Sequence, residues 1–206
     1  MSRNIPITAV DQHDFLEHRR KQEALHWGRQ DMSELNELSS ILTVEVNTTE
    51  LCNRTCSFCP RADPKVFGNR NLHMTPKGAE LIGKELHSNG FRGKISLSGY
   101  GENLLNPQFK AIVHAFRSTV PYATLECNTN GDKLTREYAE ELFEFSGLDL
   151  LYINLYDGIE QIEHFDEVMK TIPESKYKYR MHWGDFETHG SVSYTHLRAH
   201  ETSLHL

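Results

Sequence analysis

The sequence contains no apolar run approaching the roughly 18 residues that a membrane-spanning helix needs. Its start, MSRNIPITAV, has no apolar stretch long enough for a secretory leader. A spanning or exported protein is therefore not expected, and a cytoplasmic location is the default expectation. Basic charge is also short: 22 Lys and Arg face 29 Asp and Glu, with no basic block or stripe. That excludes a mainly electrostatic nucleic-acid binder, which must present positive charge to phosphates. Cysteine is scarce at four residues, and in a reducing compartment so few thiols point to metal ligands rather than to disulfides. What remains, 206 residues of which 38% are apolar, is enough for the core of one moderate domain.

Three of the four cysteines stand within eight residues, in Cys52-Asn53-Arg54-Thr55-Cys56-Ser57-Phe58-Cys59-Pro60. Three thiolates at C-x3-C-x2-C can hold three corners of an iron–sulfur cube and leave one iron open, whereas a cluster that only carries electrons wants four protein thiolates. Three Cys plus His73 could instead bind structural zinc, although such sites commonly bring their ligands in separated pairs. Cys127 sits in an apolar strand pattern and is read as core.

Along the chain, residues 12–30 form a mostly polar helical pattern with a partial stripe of Phe15, Leu16, Leu25 and Trp27, so 1–40 is read as an N-terminal helical extension. From Ile41 a regular alternation begins. Ile41–Val46, Lys94–Ser98, Ala123–Cys127, Leu150–Leu155 and Tyr177–His182 read as strands. Between them run a helix from Pro76 to about Ser88, a stripe of Phe109, Ile112, Val113 and Phe116, a helix from Arg136 to Phe145, and a stripe of Ile162, Phe165, Met169 and Ile172. Thr75 before Pro76 and Asn89-Gly90 after Ser88 are start and stop signals. Strands alternating with amphipathic helices predict α/β architecture with parallel βαβ units. In such barrels the loops after the strands converge on one face, where chemistry sits. Each unusual segment falls at such an end: the cysteines, Gly99-Tyr100-Gly101-Glu102-Asn103, Asn128-Thr129-Asn130-Gly131, Asn154 through Gly158, and Arg180-Met181-His182.

The cysteine spacing, with aromatic Phe58 before the third Cys, resembles the radical S-adenosylmethionine (radical SAM) superfamily. The resemblance covers roughly residues 43–182. It implies a TIM-like partial barrel of six βα units, of which 41–191 would supply five strands, leaving the fifth as an edge that invites self-association unless covered. It implies a 4Fe-4S cluster on Cys52, Cys56 and Cys59, with SAM on the open iron. An external one-electron reductant and a 5′-deoxyadenosyl radical that abstracts hydrogen from a peptide, sugar or other small molecule would complete the reaction. Phe58 would pack near adenine. Gly101-Glu102 resembles the family's Gly-Gly-Glu element for the SAM ammonium, with Tyr100 inserted and Asn103 where proline is common. Asn154 resembles the residue that meets the ribose hydroxyls, or else satisfies the strand end before Tyr156-Asp157-Gly158. Arg180 is a candidate fork for the SAM carboxylate, or a solvent-facing strand arginine. Asn128 and Asn130 could line the pocket, though Asn-Gly is first a turn signal. His182 and Trp183 are candidate substrate contacts, and His73 and Met74 are read as loop packing. The phrasing is most like the branch with a C-terminal SPASM or twitch domain. The alternative function is a non-catalytic iron–sulfur redox or sensor protein. A zinc hydrolase lacks a matching general-base pattern.

Residues 192–202 resemble, residue for residue, one reading frame of a transposase sequencing adapter. The natural sequence is thus expected to stop near Gly190 or Ser191, with 192–206 excluded from fold reasoning.

Overall fold

The structure, a computed structural model, describes residues 41–182. The predicted N-terminal extension, Trp183 and the adapter-like tail lie outside the described residues.

Five parallel strands form one sheet in sequential order: β1 (Thr43–Val46), β2 (Lys94–Leu97), β3 (Thr124–Thr129), β4 (Leu150–Leu155) and β5 (Tyr177–Met181). The crossovers carry α1 (Pro76–Ser88), α2 (Phe109–Thr119), α3 (Arg136–Glu144) and α4 (Glu160–Val168). This is the predicted α/β order, an open arc of a barrel with β1 and β5 as its terminal strands among the described residues. The local signals act as their chemistry requires. Thr75 Oγ1 accepts from Gly78 N at 3.2 Å with Pro76 in the first turn, and Thr135 Oγ1 accepts from Tyr138 N at 3.2 Å, so each hydroxyl satisfies one N–H that the helix cannot. Gly90, at φ 75°, reverses the chain after α1.

The sheet is two-faced because side chains alternate along each strand. One face carries Val46, Ile95, Leu97, Leu125, Cys127, Leu151, Ile153 and Leu155, all buried. Against it pack Ala79 and Leu86 of α1, Phe109, Ile112, Val113 and Phe116 of α2, Ala139 and Leu142 of α3, and Ile162 and Phe165 of α4. Cys127 is core, as its strand pattern predicts. The register places Glu45, Ser96 and Glu126 side by side on the other face, then Asn128, Tyr152 and Lys178, then Asn154 and Arg180. Helices therefore cover one face, while the inner face is lined with polar groups. Lys94 and the buried Glu126 pair there at 3.2 Å.

Candidate functional site

The cysteine loop leaves β1 and folds into a tight turn. Cys59 N donates to Cys56 O at 3.0 Å and Ala62 N to Cys59 O at 2.9 Å. Cys52, Cys56 and Cys59 are free, half-buried thiols. Burial pushes the Cys52 thiol up; the backbone of Arg54 and the charge of Arg61 act against this, and Glu102 and Cys59 add to it. Burial also raises Cys56, reinforced by Cys59 and Cys52. Cys52 and Cys56 thus sense the neighbouring sulfurs electrostatically, and holding these two as thiolates calls for positive charge beside them. Three soft donors on one loop fit three corners of an iron–sulfur cluster. Both ring nitrogens of His73 are engaged, Nδ1 with Thr49 Oγ1 at 2.9 Å and Nε2 with Asn71 Oδ1 at 2.8 Å, which leaves it a loop-packing residue. Among the described residues no three His, Cys, Asp or Glu side chains converge as ligands of one ion; the fit rests on the donor set and its shared loop.

A salt-bridge fork that sequence reading missed fastens this loop. Arg54 donates Nε to Asp132 Oδ2 at 2.7 Å and Nη2 to Asp132 Oδ1 at 2.6 Å. It also donates Nη1 to Asp157 Oδ1 at 2.9 Å and Nη2 to Asp157 Oδ2 at 2.6 Å. Beside it, Asn53 donates to Asp132 at 2.5 Å and accepts from Asn130 Nδ2 at 2.9 Å. The two residues after Cys52 are thereby tied to the loops after β3 and β4. Two facing carboxylates hold the Arg54 guanidinium well above its ordinary pKa, and the same fork lowers Asp157.

Gly99 and Gly101 follow β2 and pass close to the cysteine loop. A Cβ on Gly101 would lie 1.8 Å from Thr49 O, so only glycine fits that approach. Glu102 N donates to Leu51 O at 2.7 Å. The Glu102 carboxylate is 3% exposed and already engaged: Oε1 accepts from Thr129 Oγ1 at 2.6 Å and Leu104 N at 3.1 Å, and Oε2 from Asn130 N at 2.7 Å. Burial raises its pKa against the pull of these donors. The side chain predicted to meet an ammonium thus first joins the loops after β2 and β3. Asn103, at a position where the resemblance predicts proline, accepts from Thr48 Oγ1 at 2.6 Å and donates to Leu97 O at 2.8 Å and Asn128 O at 3.1 Å. It knots the ends of three strands, a use for amide chemistry that proline lacks.

An aromatic wall adjoins the cysteine loop. Phe58, Tyr156 and His182 stack with ring centroids 6.1, 6.0 and 4.9 Å apart pairwise and interplanar angles near 20°. Arg54 lies 5.1 Å from the Tyr156 centroid. Asn154 Nδ2 donates to Thr129 O at 3.1 Å and its Oδ1 meets His182 Nε2 at 3.1 Å, so it does satisfy a strand end and also joins the wall. Arg180 is not solvent-facing: its Nη1 donates to Asn128 Oδ1 at 2.9 Å, and its guanidinium carbon lies 3.6 Å from the Tyr152 centroid. Burial lowers its pKa. The fold therefore brings Phe58, Asn154, Arg180 and His182 to one rim with the three thiols. Tyr156, a member of the wall, reads in the sequence only as part of a turn signal.

Residues 46–181 match the family model described as Radical SAM superfamily. Over 124 residues, 60% of this chain, it is 34% identical to an S-adenosyl-L-methionine-dependent 2-deoxy-scyllo-inosamine dehydrogenase of Niallia circulans. A crystal structure of BtrN in complex with AdoMet and 2-DOIA matches 69% of this chain at 27% identity, TM-score 0.59. A selenomethionine BtrN structure in an open conformation matches the same share at 26% identity, TM-score 0.53. The chain spans about half the length of these relatives, 48% and 57% respectively. With the parallel sheet, the three thiols and the glycine loop at one rim, and a family model matched over most of the described residues, the chain belongs to the radical SAM superfamily.

Proposed function

We propose that this chain is the SAM- and cluster-binding part of a radical SAM enzyme that abstracts hydrogen from a small polyhydroxylated ring of the sugar or aminocyclitol kind. One observation carries the reading: thiols, glycine loop and aromatic wall meet at the rim of a parallel sheet whose inner face is polar. The relative's activity on 2-deoxy-scyllo-inosamine and the density of hydrogen-bonding groups on that face support the substrate class. When bound, SAM and a reduced 4Fe-4S cluster supply a 5′-deoxyadenosyl radical, given an electron from an external reductant.

The protein's own residues bind, orient and shield. Cys52, Cys56 and Cys59 hold the cluster. Phe58, Tyr156 and His182 offer flat apolar faces to adenine. The backbone of Gly101 and Glu102 admits the amino-acid end of SAM, Glu102 serving chiefly to fix that loop. Asn154 and Arg180 supply polar atoms to the ribose and carboxylate, and the face holding Glu126, Asn128 and Lys178 receives the substrate. Replacing any one of the three cysteines by Ala is expected to abolish 5′-deoxyadenosine formation in the anaerobically reconstituted protein. Substantial 5′-deoxyadenosine from all three variants, or none from the wild type, contradicts the proposal; the latter outcome fits an iron–sulfur carrier or sensor.

A further inference from the structure

Arg61, two residues past the third cysteine, is only 8% exposed, and its Nη1 has no hydrogen-bond partner. Arg54, Arg70, Arg117 and Arg136 each meet a carboxylate. Among the described residues no ion pair forms at Arg61, although taking a guanidinium out of water is costly unless an anion meets it. Its surroundings hold it in place without neutralising it. Nη2 donates to Asn69 Oδ1, and the guanidinium carbon lies 5.1 Å from the Phe67 centroid, whose ring packs on Tyr100. The same Asn69 oxygen accepts from Cys52 N at 2.9 Å. One amide oxygen thus joins the buried cation to the backbone of the first thiol, and the Arg61 charge is felt at Cys52.

We propose that Arg61 is the counter-charge of the thiolate-bound cluster, held beside Cys52 by Asn69, and that it favours the reduced cluster. The inference rests on the reading that Cys52, Cys56 and Cys59 ligate iron. Its physical basis is general: hydrogen bonds and positive charge near cluster sulfurs make an added electron less costly. A site with an uncompensated buried cation is least stable empty and gains most from receiving an anionic centre.

An EPR-monitored redox titration of the full chain, anaerobically reconstituted, tests this on wild type, Arg61→Gln and Arg61→Lys. Thermal melts of the metal-free proteins run alongside. At a fixed potential, Arg61→Gln is expected to lower the reduced-to-oxidised ratio about tenfold, equivalent to about 59 mV for one electron. Arg61→Lys should recover most of it. Metal-free Arg61→Gln should melt no lower than wild type, because it sheds an unmatched charge. An Arg61→Gln cluster that titrates with the wild type overturns the proposal. So does a metal-free Arg61→Gln that loses as much stability as the reconstituted variant, since the residue would then be loop packing. A wild type that forms no iron–sulfur signal overturns the cluster reading itself, and this is seen before any variant is compared.

Discussion

Arg54 commits four N–H···O bonds to two aspartates 78 and 103 residues away. It sits between two thiols and ties the cysteine loop to the loops after β3 and β4. Arg54→Ala is expected to cost about 2 kcal/mol of stability, as hydrogen bonds to charged groups do; Asp157→Asn should cost under about 1, because Asp157 is largely solvated. Denaturant unfolding of the two variants gives the comparison. Acid dependence separates two carboxyl groups whose pKa values are shifted in opposite directions. The fork depresses Asp157 in the folded state, so its contribution is present above the ordinary carboxylate pKa and is lost as pH falls through the lowered value. Burial raises Glu102, so its contribution is present below the ordinary value and is lost as pH rises through the raised one. Unfolding free energies between about pH 3 and 7 should show the gap between wild type and Asp157→Asn closing on acidification. The gap for Glu102→Gln should close as pH rises. Gly101 is limited by space: Gly101→Ala must displace the Thr49 carbonyl, a loss of about 1–3 kcal/mol measurable by the same unfolding.

Helix α2 shows why the elements were legible from sequence. Phe109, Ile112, Val113 and Phe116 repeat at helical spacing and all are fully buried, so the pattern and the packing are one fact. Phe116→Ala should cost about 3–5 kcal/mol in denaturant unfolding, as other large-to-small core changes do. Helix α1 starts and stops where Thr75-Pro76 and Asn89-Gly90 say it must, because caps are local chemistry. Strand ends were less legible. β1 begins at Thr43 rather than Ile41, although Leu42 O still accepts from Lys94 N at 2.9 Å. β3 runs on to Thr129, past the last apolar residue, because Asn128 and Thr129 still pair with Tyr152 and Ile153 of β4, the Asn128 side chain facing inward to Arg180. An apolar pattern marks only the face that packs on helices.

At the scale of the whole molecule, the sequence carried the cysteine spacing and the strand-end positions of the unusual segments, since topology alone sends those ends to one rim. It did not carry the fork on Arg54, the knot at Asn103, the Tyr156–His182 stack or the buried cation at Arg61. The first three join residues from different βα units, and a pairing across dozens of residues leaves no local period to read; Arg61 meets nearby Asn69 and Phe67, but its burial is set by the folded loop and not by any sequence pattern. Glu102 shows the same limit: its motif predicted a ligand contact, and the fold first spends its carboxylate on Thr129, Asn130 and Leu104. The proposed function stands or falls on whether the three thiols on this rim hold a cluster with one iron open to SAM. The most direct measurement is the EPR spectrum of the anaerobically reconstituted, reduced protein with and without SAM. An iron–sulfur signal whose g-values shift on SAM addition is expected; a signal indifferent to SAM, or a protein that takes up zinc and no iron, would overturn the proposed function.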